Sequence, residues 1–297
     1  MTASIKSALW MLFASINFAL LNTQVKFLSS EFHITQIIFF RSLFAVIFIF
    51  PWIIKDGFSS LKTNSVKLQM IRSIIALGAM YMWFFSIANI PLAKATAINF
   101  TAPVFGAIFA IIFLKEKIKK RRAIAIMISF IGALTIIRPG FVEINLFILF
   151  AIMASVLMGM AAIFIKKLSM LDHPNSVVFY MPAFIALVSL FPSFYFWRHP
   201  SIFELILLIS TGLSATLAHQ AITRAFAISE ATYVLVFDYL RLPFTVILSF
   251  YIFYETTSFW IWIGGFIIFF SSTYIISREK KAGKIQTPSI LAKKHIN

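Results

Sequence analysis

The 297-residue sequence is 61% apolar, is charged at only 12% of its positions and has a mean hydropathy of +0.94. A soluble fold of this size needs far more charge to cover its surface, whereas a bilayer needs none, so the composition excludes an ordinary soluble protein. Cysteine is absent, which removes disulfides, thiolate metal sites and a Cys nucleophile, and the net charge of +16 reads as basic loops between membrane spans rather than as a nucleic-acid surface.

A span takes about 20 apolar residues. Such runs fall at roughly 5–25, 33–54, 68–90, 93–114, 121–138, 146–166, 175–196, 203–224, 231–254 and 258–277. The first run is longer than a signal peptide and is taken as a retained span. It carries Asn17 and Gln24, seven apart and therefore on one face. The second carries Arg41, and the third Tyr81 and the deeper Trp83. Thr96, Asn99 and Pro103 share a stripe on the fourth, which ends at Glu116 and runs into the basic loop Lys115–Arg122. On the eighth, Thr216, His219 and Thr223 form a similar stripe. The ninth follows Glu230 and holds Tyr233, Asp238, Tyr239, Arg241 and Pro243, ending at Glu255. Trp52, Trp197, Trp260 and Trp262 lie near span ends and suit an interfacial belt. The segment 278–297 is a basic tail.

Twenty Lys and Arg residues, Arg72 among them, fall in segments on the N-terminal side of the membrane; four fall on the other. This asymmetry predicts cytoplasmic N- and C-termini and an even number of spans.

A shift of 140 superposes Ala14, Ser15, Lys26, Leu28, Ser29, His33, Phe39 and Phe44 on identical residues, eight in 31 positions without a gap. At a shift of 139, Glu116 falls on Glu255 and Asn99 on Asp238. Two five-span halves, 1–138 and 146–277, are expected. Because five is odd, the second half enters the membrane from the opposite side. Inverted repeats of this kind suit alternating access around a site near the midplane.

Three stretches carry a family resemblance. They are Phe39-Phe40-Arg41-Ser42-Leu43, Ala93 through Pro103-Val104-Phe105 to Lys115-Glu116-Lys117, and Glu230-Ala231-Thr232 through Phe237-Asp238-Tyr239-Leu240-Arg241-Leu242-Pro243-Phe244 to Glu255. With ten spans and a repeat, the chain resembles the EamA-type carriers of the drug/metabolite transporter superfamily over essentially its whole length. The resemblance implies an all-α, ten-helix membrane carrier with a central cavity. Members move amino acids, amines, nucleotide-like metabolites, vitamins or drugs, and a branch in intracellular bacteria takes up S-adenosylmethionine. The family's Arg in the second helix is present whatever the cargo, which implies a structural or gating role for Arg41. Its usual Gly before the Glu is replaced here by Lys115 and Tyr254.

An ionised side chain at the bilayer centre costs roughly 2.5–3.5 kcal/mol, so it is normally paired or faces water. Arg41, Asp238 and Arg241 are the strongly charged residues expected well inside spans. Asp238 and Arg241 are three apart and share a face. They suit an internal ion pair, or a zwitterionic cargo with its carboxylate on Arg241 and its amine on Asp238. Arg41 suits snorkelling, a helix cap or an anionic cargo group. Asn99, Trp83, Tyr239, His219, Asn17 and Gln24 complete the candidate cargo contacts; Glu116, Glu255, Pro103 and Pro243 join Arg41 as gating or structural candidates.

A membrane enzyme of the prenyl- or phospho-transferase type, or a flippase of lipid-linked substrates, is the alternative. Such enzymes need clustered acids or a His/Glu metal site. No DDxxD, HExxH, GxSxG or P-loop pattern occurs, so neither catalytic nor metal residues nor a cofactor are expected. A channel would need a charged ring or carbonyl filter. The expected protein is therefore a secondary transporter of the inner membrane, a monomer or homodimer. Its partners are a small-molecule cargo, the bilayer, and a coupled proton or counter-substrate; Asp238 and His219 are the groups that a proton would use.

Overall fold

The computed structural model describes residues 3–116, 120–137 and 145–255, together with part of 259–274. Among them there is no strand. The helices are α1 (Ala3–Leu28), α2 (Ile34–Asp56), α3 (Val66–Asn89), α4 (Leu92–Asn99), α5 (Ala102–Leu114), α6 (Lys120–Ile137), α7 (Leu146–Leu171), α8 (Pro174–Tyr195), α9 (Ile202–Ile228), α10 (Ala231–Val236) and α11 (Arg241–Phe253).

Among the described residues, eight paths are long and apolar enough to cross a membrane: α1, α2, α3, α7, α8, α9, and the paired segments α4–α5 and α10–α11. The outward faces bear this out. Leu187, Phe191, Ile112 and Ile206 are all more than half exposed, a pattern that only lipid makes favourable. The chain is therefore an all-helical integral membrane protein. The expected span at 121–138 corresponds to α6, which falls outside the eight. Much of the expected span at 258–277 and all of the tail from 278 lie outside the described residues, as does the Pro139-Gly140 connection.

Local chemistry sets the helix ends. The first N–H groups of a helix lack internal partners. His33 caps α2 by accepting from the Thr35 N–H at 3.4 Å, and His173 caps α8 by accepting from the Asn175 N–H at 3.2 Å. Both caps share almost the same backbone, φ −63, ψ 143 and φ −65, ψ 143. Asn145 caps α7, and Ser201 with Glu204 forms a capping box on α9.

Two spans are interrupted at matching points. Proline has no N–H and its ring crowds the carbonyl four residues back. Pro103 thus disturbs the chain at Asn99, where the N–H groups of Phe100 and Thr101 bond only three residues back, to Ala97 and Ile98. Pro243 follows a 3₁₀ turn over Phe237–Leu240. The helix axis is broken at both places, and the breaks bring Asn99, Asp238 and Arg241 together.

The packing partners come in reciprocal sets: α1 with α9 and α7 with α3, α5 with α7 and α11 with α1, α5 with α10 and α11 with α4, while α2 lies against α8. Small residues allow close crossings. A methyl group added at Gly159 would lie 2.8 Å from the Ala102 carbonyl oxygen, and one at Gly212 would lie 2.9 Å from the Ala45 nitrogen. These contacts bind α7 to α5 and α9 to α2.

Candidate functional site

A central cavity of about 160 Å³ lies where the two broken spans meet α1, α2, α3, α7, α8 and α9. The α3 wall is a single helical stripe, Arg72, Ala76, Ala79, Met80 and Trp83, at spacings of four, three, one and three. From α1 come Met11, Phe18 and Asn22, also on one face. Methionine and aromatic side chains make up much of the remaining surface, Phe84, Met158 and Met181 included.

At one end of the cavity Arg241 bonds Asp238 at 2.9 Å and the Asn99 side-chain oxygen at 2.9 Å. Asn99 in turn donates to Ser155 Oγ at 3.1 Å on α7. One polar centre therefore joins both breaks to a third helix. The ion pair expected from the i, i+3 spacing is formed. At the other end, Arg41 Nη2 lies 3.2 Å from His219 Nε2, and Arg41 Nη1 lies 3.5 Å from the Met80 sulfur. The Phe18 ring touches both ends, with the Arg241 guanidinium 5.6 Å from its centroid and the His219 ring meeting it edge-on at 5.5 Å. Trp83 is anchored by its Nε1–H, which donates to Asn22 Oδ1 at 3.0 Å.

Of the residues singled out from the sequence, Asp238, Arg241, Asn99, Trp83, His219, Arg41 and Pro103 line this cavity. Tyr239, Asn17, Gln24 and Pro243 do not. Tyr239 is fully buried against Phe100, ring centroids 5.1 Å apart. The Asn17 amide turns back to the Phe13 carbonyl of its own helix at 2.9 Å. Thr216 likewise bonds backbone, to Ala45 at 3.1 Å and Gly212 at 2.9 Å. Arg72, expected among the loop cations, is instead 0% exposed and faces the cavity, donating from Nη1 to the Val177 carbonyl. Its place on the Trp83 stripe was the signal that identifies it. Lys166, likewise expected among the loop cations, is also buried, held by the carbonyls of Phe226 at 2.8 Å and Ser229 at 2.7 Å.

Glu116 and Glu255 sit at the entrances to the broken spans. Glu116, from the first half of the chain, accepts from the N–H groups of Ala231 at 2.9 Å and Thr232 at 3.2 Å, so it caps α10. Glu255 accepts from the Leu92 N–H at 3.2 and 3.1 Å, so it caps α4. A carboxylate at a helix start meets unpaired N–H groups and the positive end of the helix dipole. Lys26 completes the second arrangement, 2.5 Å from Glu255 and 3.0 Å from the Ile90 carbonyl.

Residues 5–138 match the EamA-like transporter family. An S-adenosylmethionine uptake transporter of Rickettsia conorii is 30% identical over 273 residues, covering 92% of this chain and 93% of the relative. The chain belongs to the EamA-like transporter family. A riboflavin transporter of Vibrio cholerae is 29% identical and covers 94% of this chain and 96% of its own length. A pseudopaline exporter of Pseudomonas aeruginosa is 28% identical, covering 90% and 94%. A solved protein structure superposes with a TM-score of 0.74 over 95% of this chain and 99% of its own, at 12% identity, and so shares the fold. The family is that of the drug/metabolite transporter superfamily, and this EamA-like protein is a secondary transporter of a small metabolite rather than an enzyme.

Membership also explains a local oddity. The family pattern has Gly where this transporter has Lys115 and Tyr254. Both adopt the left-handed conformation, φ 54 and φ 52, just past the ends of α5 and α11. In both, the following Glu N–H reaches back six residues, to Ala110 and Ser249. This is the helix stop that Gly makes at least cost. The geometry is kept here without the glycine, and it aims Glu116 and Glu255 at the opposite half.

Proposed function

We propose that the chain is a ten-helix carrier of the inner membrane made of two inverted five-helix halves, with both termini cytoplasmic. It exposes the central cavity to each side in turn and moves a small polar or amphipathic metabolite. The observation that carries this reading is the polar centre of Asn99, Asp238 and Arg241, formed where a broken span from each half meets beside the cavity. Discontinuous helices meeting at mid-depth are how carriers offer polar groups to cargo inside a bilayer. The equivalent caps at His33 and His173, the reciprocal helix pairs and the crossed Glu caps support the two-half organisation.

The cargo class follows from the walls. Trp83, Phe18 and Phe84 offer flat apolar faces beside guanidinium groups, which suits a planar heterocycle carrying polar substituents. S-adenosylmethionine and riboflavin, the cargoes in the relatives' names, have that form. Asp238 and His219 each already contact a guanidinium, so protonating either disrupts an existing contact. Exchange or facilitated diffusion is the coupling mode that this favours.

The test is counterflow in proteoliposomes with radiolabelled S-adenosylmethionine and riboflavin, with and without a pH gradient. Saturable exchange that ignores the gradient is expected. Exchange that requires an inward proton gradient would refute the coupling mode, and no exchange of either compound would refute the cargo class.

A further inference from the structure

We infer that the cavity wall carrying Arg41, Arg72 and His219 is a receptor for an oxyanion, so that the cargo is held there by a carboxylate or phosphate. This rests on the reading of the cavity as the cargo site. The argument begins with hydrogen-bond accounting. Buried polar groups are nearly always partnered, and an exception asks for an explanation. Six buried side-chain atoms of cavity-lining residues lack a partner among the described residues: Asn22 Nδ2, Arg41 Nε, Arg72 Nε and Nη2, His219 Nδ1 and Arg241 Nε.

All six are donors. The arginine atoms can only donate. Trp83 Nε1–H can only donate, so the oxygen of Asn22 faces it and Nδ2 is left as the free amide end. Arg41 likewise can only donate to His219 Nε2, which makes that nitrogen the acceptor and puts the imidazole proton on Nδ1. Among the described residues, the unpartnered buried amide oxygens, Gln24 Oε1, Gln69 Oε1 and Gln220 Oε1, belong to residues outside the cavity wall. The unpartnered buried groups of the lining residues are therefore donors, and the partners they lack are acceptors.

Charge points the same way. Arg41, Arg72 and Arg241 line the cavity with Asp238 as the one carboxylate among the lining residues, and Asp238 is taken by Arg241. Arg41 is 2% exposed and Arg72 0%, and neither has an acidic side chain within ion-pair distance among the described residues. Snorkelling does not account for them, because snorkelling delivers the charge to water. A bound oxyanion supplies both the acceptors and the counter-charge, and guanidinium forks match its geometry. Phe18 links this wall to the Asp238–Arg241 pair, meeting His219 edge-on and lying under the Arg241 guanidinium.

The experiment uses the full chain in lipid nanodiscs and two matched probe pairs: flavin mononucleotide against riboflavin, and S-adenosylmethionine against its decarboxylated form. Within each pair the members differ in one oxyanion. Charge-assisted hydrogen bonds predict that the oxyanion-bearing member of at least one pair binds roughly tenfold or more tighter. Preference in the flavin pair identifies a phosphate, and preference in the sulfonium pair a carboxylate. Arg72→Gln is expected to abolish the preference and Arg72→Lys to retain part of it. A wild-type protein without preference in either pair, whether it binds both members or neither, overturns the inference, as does a preference that survives both Arg41→Gln and Arg72→Gln. Counterflow on the same preparations separates the two readings: exchange without preference overturns the anion receptor alone, and preference without exchange overturns the carrier alone.

Discussion

At the scale of single residues, the buried charges were legible from spacing where two of them shared a helix and illegible where the partner lay elsewhere in space. Asp238 and Arg241 sit three apart, and their contact follows from helix geometry. Arg241→Gln leaves Asp238 without its partner in a buried site, and the loss is expected to exceed that of the double substitution Asp238→Asn with Arg241→Gln. Thermal melts in detergent check this: a single variant no less stable than the double removes the pair as a structural element. Arg72 was misassigned because a cation six residues from a helix start resembles a loop residue. What buries it is the packing of α3 against α7 and α8, which a one-dimensional charge count does not contain. His33 shows a different chemistry. Its Nδ1 is an acceptor at the start of α2 and its ring stacks on Phe196 at 3.8 Å. Desolvation holds the imidazole below its ordinary value of 6.5. The unfolded chain then binds the extra proton first, so the stabilising effect is complete above pH 6.5 and is lost as pH falls through the folded value. His33→Asn keeps a capping group and is expected to flatten that part of the stability profile; an unchanged acid slope in the variant contradicts it.

At the scale of helices, eight of the ten expected span positions recur as crossing paths among the described residues, because membrane thickness acts locally, whereas the breaks near Pro103 and Pro243 lie in runs that hydropathy reads as continuous. The helix stops were harder. Lys115 and Tyr254 do not announce a left-handed turn as Gly does, yet the α5 and α11 ends adopt it. A side chain in that conformation costs about 1 kcal/mol. Lys115→Gly and Tyr254→Gly relieve the strain but enlarge the freedom of the unfolded chain, so each is expected to be neutral to stabilising by up to about 1 kcal/mol. A clear fall in melting temperature on either substitution would show that the side chain, not the backbone, holds the stop. The crossed caps could not be foreseen. The repeat register paired Glu116 with Glu255, but only the fold puts each at the start of the other half's broken span.

At the scale of the whole molecule, the proposed carrier is two halves that grip one another through these caps, with a donor-rich cavity between them. The Lys26–Glu255–Leu92 contact and the Glu116–Ala231 contact lie at opposite ends of broken spans. In the proposed cycle one loosens as the other holds. The proposed repeat rests on residues that stay in register over two spans of the sequence. The cavity was not legible there, since its walls combine eight crossing paths. The absence of native cysteine makes the central claim directly measurable. A single Ala76→Cys on the cavity stripe is probed in oriented vesicles with a membrane-impermeant maleimide, before and after Zn²⁺ bridges the Lys26→His and Glu255→His positions of the same chain. Alternating access predicts labelling from both sides before bridging and from one side only afterwards. Labelling from a single side in the unbridged protein, or from both sides despite the bridge, would contradict it.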